Sequence, residues 1–290
     1  METALEYVNY SRVGLNQFPA LFSAINVSIY GNWEKQLMKA SVETANQIKW
    51  NRPNLLNTSS IVGCHIETGS EYLSTEHCYR LLQKIDSALL LFPQLLKDKS
   101  FLDKLLILQG PSFLSTLSEL SLASELVRAG YNVSFERKFH GTSFINNRTV
   151  KRDVDLSVSD SKGNNFEIEI YTPYSPLEQS ENGFLDLFDE NYGFQVKVNN
   201  KSESKFGIEN ISGLSGKKIL AVNEAFSEKR KISHHLSSCL EGGIPALSIK
   251  VPNEIDGLLI FSDAFDSDNS FWFTELLFSE KGIEHNHEVY

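Results

Sequence analysis

Residues 151–173 read KRDVDLSVSDSKGNNFEIEIYTP, and no other stretch constrains the chain as tightly. Val154, Leu156 and Val158 alternate with Asp153, Asp155 and Ser157. After a turn at Ser161-Lys162-Gly163-Asn164, Phe166, Ile168 and Ile170 alternate with Glu167, Glu169 and Tyr171. Successive side chains of a strand point to opposite faces, so a period of two predicts a β-hairpin. Its apolar set should pack inward and its four carboxylates should line up opposite. Carboxylates gathered in this way repel one another unless a cation neutralises them. The plainer alternative is a solvated strand face, which antiparallel sheets commonly have.

A hairpin needs a body to pack on, and 290 residues are enough for one large domain or two modest ones. The apolar share of 41% is that of a globular chain, and no apolar run approaches the roughly 18–20 residues of a membrane span. The N-terminal METALEYVNYSRVG has early acids and no apolar core, so no secretory signal is expected. Cys64, Cys78 and Cys239 are too few and too scattered for a disulfide framework, and a reducing, cytoplasmic setting is expected. The net charge of −10 argues against a uniformly basic, polyanion-coating surface. Ten acids and only two basic residues fall in 241–290, however, so the acidity is mostly a property of the tail. A local phosphate-binding face near the hairpin remains compatible with it.

Residues 1–110 read as a mainly helical region, with strand-like VSIYGNW, helix-like WEKQLMKASVETANQIKW and two helices in 75–110 meeting near Pro93 or Lys97. Their leucine density suits core packing, or a homodimer or protein-partner surface. Cys64-His65 and His77-Cys78 lack the spacing of a zinc site and read as buried thiols and helix-cap histidines. The next segment, PSFLSTLSELSLASELVRAGY, reads as a helix closed by Gly130 in a left-handed cap. Its stripe is Phe113, Leu117, Leu120 and Val127, widened by Leu114, Ala123 and Leu126. Glu119 borders the stripe, where it either looks toward a sheet or closes a capping box with Thr116. YNVSFERKF follows as a strand, HGTSFINNRT as a polar loop, and then the hairpin. Beyond it, GKKILAVNEAF and EIDGLLIFSDAF read as core strands and FSEKRKISHHLSSCLEGG as a helix; His234 and His235 read as cap or surface residues. Residues 263–290 form an acidic, aromatic tail whose Phe271, Trp272 and Phe273 should pack on the body or a partner; His285 and His287 read as residues of a chain end, not metal ligands.

The order helix, strand, strand, strand, with Glu119 eleven positions before Gly130, Asp153/Asp155 and Glu167/Glu169 followed by Tyr171-Thr172-Pro173, resembles the PD-(D/E)XK nuclease superfamily over about residues 111–262. The resemblance implies an α/β fold with a mixed central sheet flanked by helices, the restriction-endonuclease-like core, carrying the N-terminal helical extension. It implies Mg2+ or Mn2+ held by Asp155, Glu169 and Glu119, with Glu167 assisting, and hydrolysis of phosphodiester bonds, DNA being the expected substrate. The metal would lower the pKa of a bound water and offset charge growing on the phosphate.

Two registers fit that pattern. One pairs Asp153 with Glu167 and puts Glu169 at the family's lysine position; the other pairs Asp155 with Glu169 and puts Tyr171 there. A phenol of pKa about 10 is a poor substitute for an ammonium. Lys197, Lys201 and Lys205, at four-residue spacing, offer a replacement if they lie on a helix, which the resemblance predicts against a weak intrinsic signal from Val196, Val198 and two Asn. Tyr171, Lys197 and Lys201 are therefore candidate assisting residues, with a solvated lysine face as the plainer alternative. A nuclease-like domain without cleavage activity, serving as a binding or scaffold module, is the alternative function.

Overall fold

The computed structural model describes residues 16–28, 35, 75–106, 110–143, 146–172, 187–223, 251–263 and 271–279. Two compact units divide the chain: Met1–Ser124 with Ala264–Phe271, and Glu125–Asp263 with Trp272–Tyr290. The readings made on Cys64, His65, His234, His235, His285 and His287, on 29–50 apart from Lys35, and on the helix proposed after Phe226 lie outside the described residues. So do the side chains of His77 and Cys78.

In the first unit, α1 (Pro19–Val27), α2 (Thr75–Leu91), a 3₁₀ turn (Pro93–Lys97) and α3 (Lys99–Leu105) enclose a core that includes Leu21, Ile25, Leu82, Ile85, Leu89, Phe101 and Leu102. The break expected near Pro93 or Lys97 is there, because Pro93 cannot continue α2 and Asp98 caps α3 by accepting the Phe101 N–H at 3.0 Å. Asp86, buried on α2, accepts the Leu21 N–H at 2.8 Å and so serves an otherwise open donor in the first turn of α1.

Helix α4 (Gly110–Arg128) closes as its sequence predicts. Gly130 has φ 91°, its N–H donates to Val127 O at 3.0 Å, and the Tyr131 N–H donates to Leu126 O at 3.0 Å. The capping-box reading of Thr116 and Glu119 does not hold. Both lie inside the helix, and the Thr116 hydroxyl donates back to Ser112 O at 2.9 Å. Ser118 and Ser124 donate to Leu114 O and Leu120 O in the same way, which lets a helix buried on most sides carry serines without orphaned hydroxyls.

The second unit is mixed α/β. Its sheet runs β4-β1-β2-β3-β5-β6-β7, from β1 (Asn132–Thr142), β2 (Thr149–Ser159), β3 (Asn165–Tyr171), β4 (Glu209–Ser212), β5 (Lys217–Asn223), β6 (Gly257–Asp263) and β7 (Phe271–Phe278). Strands β1, β2 and β3 form an antiparallel meander; β5 is parallel to β3, and β6 to β5. Strand β1 continues to Thr142 through residues read from sequence as loop, because β4 pairs with His140 and Thr142. The β2–β3 turn is set by Asp160, whose Oδ1 accepts the N–H groups of Lys162 and Asn164, both at 2.8 Å. Gly216 sits so close to the start of β3 that a Cβ there would meet Asn165 O at 2.6 Å, so its missing side chain permits β5 to approach.

Helix α5 (Leu187–Phe206) is the crossover between β3 and β5, as the resemblance led one to expect despite the weak intrinsic signal. Val198 and Phe206 pack with Phe139, Leu220, Val222, Leu258 and Ile260, and the Phe139 and Phe206 rings stack with centroids 6.1 Å apart. Tertiary burial supplies what local propensity lacks.

Candidate active site

Strand β3 lies between β2 and β5, so both of its edges are paired, and the successive burial of Glu167, Ile168, Glu169 and Ile170 shows that both of its faces are covered as well. This excludes the solvated-face reading for Glu167 and Glu169, which are 0% and 2% exposed. Leu220 and Val222 are the register partners of Glu169 and Tyr171, so the acids share the sheet face that α5 covers.

The apolar/acidic alternation expected of the hairpin breaks at Asp155. The β1–β2 register passes from Phe135↔Leu156 to Arg137↔Val154 without pairing Glu136 with Asp155, and Glu136 adopts a left-handed φ of 51°. Val154 consequently packs with Leu220 and Val222, on the face that alternation would leave to the acids. The β2–β3 ladder ends at Leu156↔Ile168, and beyond it Asp155 Oδ2 accepts the Ile170 N–H at 2.6 Å.

Around Glu169 the chain gathers cations. Lys201 Nζ is 2.8 Å from Oε1 and Lys205 Nζ is 2.8 Å from Oε2. Each Glu169 oxygen is therefore met by its own ammonium. A carboxylate taken out of water costs several kcal/mol unless its charge is matched, and these two ammoniums match it. Lys205 is the deeper of the two, its side chain 17% exposed against 34% for Lys201. Lys205 also donates to Asp153 O at 2.7 Å and lies 3.5 Å from Asp153 Oδ1. Its own carbonyl accepts from Arg152 Nη1 at 2.5 Å, a cation at the last turn of α5. Burial pulls the Lys205 ammonium down, but Glu169, Asp155 and Asp153 outweigh it and hold it above its ordinary value. Asp155 is pushed up to about 7, by burial first and by the Glu169 charge second, against the Ile170 N–H and the two lysines.

The sequence-predicted residues therefore separate. Asp155, Glu169, Lys201 and Lys205 form one cluster, with Asp153, 56% exposed, at its edge. Glu167 belongs to a different arrangement: Arg137 Nη1 lies 2.8 Å from its Oε1 and the Ser157 hydroxyl donates to Oε2. Its oxygens serve to tie strands β1, β2 and β3 together. Lys197 is exposed, and Tyr171, half-buried against the α5 core, is raised by burial and stays a neutral phenol. Glu119 is half-buried on α4, in the first unit. Arg137 was not foreseen; the signal for it was the need of a central-strand Glu for a cation from a neighbouring strand.

Two carboxylates at adjacent strand positions, Asp155 and Glu169, are hard ligands of the kind Mg2+ or Mn2+ takes alongside water. Among the described residues no group of three or more His, Cys, Asp or Glu side chains is gathered for a metal, and no helix is long and apolar enough to cross a membrane. No family model and no curated protein matches the chain.

Proposed function

We propose that the second unit is a divalent-metal-dependent nuclease that hydrolyses phosphodiester bonds, with DNA as its expected substrate and a restriction-endonuclease-like core as its scaffold. One observation carries the reading: Glu169, buried beside Asp155, meets two ammoniums that arrive from the crossover helix. Tyr171 cannot supply the cation the resemblance calls for on β3, and α5 supplies it instead. The order of a meander, a crossover helix and a strand parallel to β3 supports the same reading.

Asp155 and Glu169 would hold the metal, which when bound supplies an activated water and neutralises charge on the phosphate. Lys201, the more accessible ammonium, meets the phosphate oxygens; Lys205 keeps Glu169 and the end of α5 in place. The cluster is dry enough on its β3 side for these charges to act strongly. Glu119 enters through the resemblance alone.

A scaffold or binding role without cleavage has one observation in its favour, since both Glu169 oxygens are already matched by lysines. Incubation of plasmid and oligonucleotide DNA with Mg2+ or Mn2+ separates the two. Wild-type chain should cut while Glu169→Ala and Asp155→Ala lose at least about a hundredfold in rate, the scale of losing a metal ligand or its activated water. Equal cutting by all three proteins, or none by any, removes the nuclease reading. Glu119→Gln in the same assay tests the role the resemblance gives it.

A further inference from the structure

Two buried polar side chains stand out: Glu169, whose two oxygens are met by Lys201 and Lys205 at 2.8 Å each, and Ser202, whose Oγ has no hydrogen-bond partner among the described residues. The first belongs to β3 and the second to α5, the two elements that meet at the acidic cluster. Ser202 is fully buried on the line Val198, Ser202, Phe206 that α5 packs onto the sheet, and Lys201 and Lys205 flank that line.

We infer that Lys201 and Lys205 are resident counter-ions that compete with a divalent cation for Glu169, so that metal and substrate phosphate bind cooperatively. The inference rests on the nuclease reading above and adds an order of loading to it. Two ammoniums already sit 2.8 Å from the oxygens of the Glu169 carboxylate. A divalent cation brought to Glu169 adds two positive charges beside those ammoniums in a poorly solvated place, where repulsion is only weakly screened. A phosphodiester brings a negative charge and gives a displaced ammonium a new partner. Metal alone should therefore bind weakly, and metal with nucleic acid well.

Lys201 is the lysine that moves. Its side chain is 34% exposed and Glu169 is its ion-pair partner, whereas Lys205 is 17% exposed and fixed through Asp153 O and Arg152. By linkage, whatever factor the DNA adds to metal affinity, the metal adds to DNA affinity.

Calorimetric titration of Mn2+ into the full chain, alone and saturated with a short DNA duplex, tests this. Wild-type protein should bind Mn2+ about tenfold more tightly with the duplex present, a coupling of about 1.4 kcal/mol. Lys201→Gln should bind Mn2+ about tenfold more tightly than wild type without DNA and lose most of the coupling. Lys201→Arg, which keeps the positive charge, should keep the weak Mn2+ binding of the DNA-free wild type, so that a gain confined to Lys201→Gln is assigned to the lost charge. Equal or weaker Mn2+ binding by Lys201→Gln, or a duplex that leaves wild-type Mn2+ affinity unchanged, overturns the inference. If DNA is cut by wild type in that case, the nuclease reading survives alone. If the coupling is found and no DNA is cut, the counter-ion role survives and the nuclease reading does not. Mn2+ binding by neither protein in either state overturns both.

Discussion

Asp155 and Glu169 differ by a single methylene, and their surroundings give them different work. Glu169 is ion-paired at both oxygens, while Asp155 is held at about 7 by burial and by the Glu169 charge. The ordinary carboxyl value is 3.8, so between about pH 4 and about pH 7 the folded chain keeps a proton that the unfolded chain has lost. Stability should accordingly fall as pH rises through that window, and the loss should be complete above it. Asp155→Asn removes the titrating group, so its unfolding midpoint should exceed that of wild type at pH 8 and lose the advantage at pH 5. Midpoints that differ equally at both pH values would contradict the assignment. A metal of the kind proposed would need the ionised form, so the same residue would tie loading of the site to proton release.

Strand and helix, more than any single side chain, decide which acids are free to act. Arg137 on β1 reaches past β2 to Glu167 on β3, and Ser157 on β2 completes the tie. Removing one partner of a buried charge leaves the other uncompensated. Arg137→Met should therefore lower the unfolding free energy by about 2–3 kcal/mol, below the full value for a buried pair because the Arg137 side chain is 41% exposed. Denaturant melts of Arg137→Met and of Arg137→Met/Glu167→Gln measure this: the double variant, with no charge left buried, should recover part of the loss. The parallel pair β5–β6 is fastened at both ends by similar means. Lys218 N–H donates to Asp256 Oδ2 at 2.7 Å, and at the far end Asp263 N–H donates to Asn223 Oδ1 at 3.1 Å.

At the scale of the whole molecule the charge of −10 opposes any polyanion, so attraction has to be local. For the proposed DNA binding the α5 lysines would provide it, two of them already turned to Glu169 and Lys197 exposed one turn earlier. Few phosphates can then be neutralised, and the dependence of DNA affinity on salt should be shallow, with a log–log slope of about −2. Lys197→Gln should reduce its magnitude by about 1 across DNA sequences alike, as a phosphate contact does. Filter binding in EDTA across a salt series measures it; a slope near −6 would point to a broad basic face elsewhere on the chain.

Period-two alternation was enough to place β2, the turn at Ser161–Asn164 and β3, because local sterics and side-chain direction decide such elements. Gly130 was enough to end α4, since few residues accept a left-handed φ. The lysine ladder at 197, 201 and 205 was legible as a pattern, but its helix was not, because Val196, Val198 and Asn residues form one only when Val198 and Phe206 are buried against the sheet. Likewise, no sequence pattern distinguishes a Glu clamped by Arg137 from a Glu facing Lys201 and Lys205 two residues later on the same strand. The sequence by itself determined that one hairpin would carry all four acids. Only the tertiary structure decided which of them is matched by a helix and which is spent on the sheet, because the cations come from β1 and α5, thirty residues away or more.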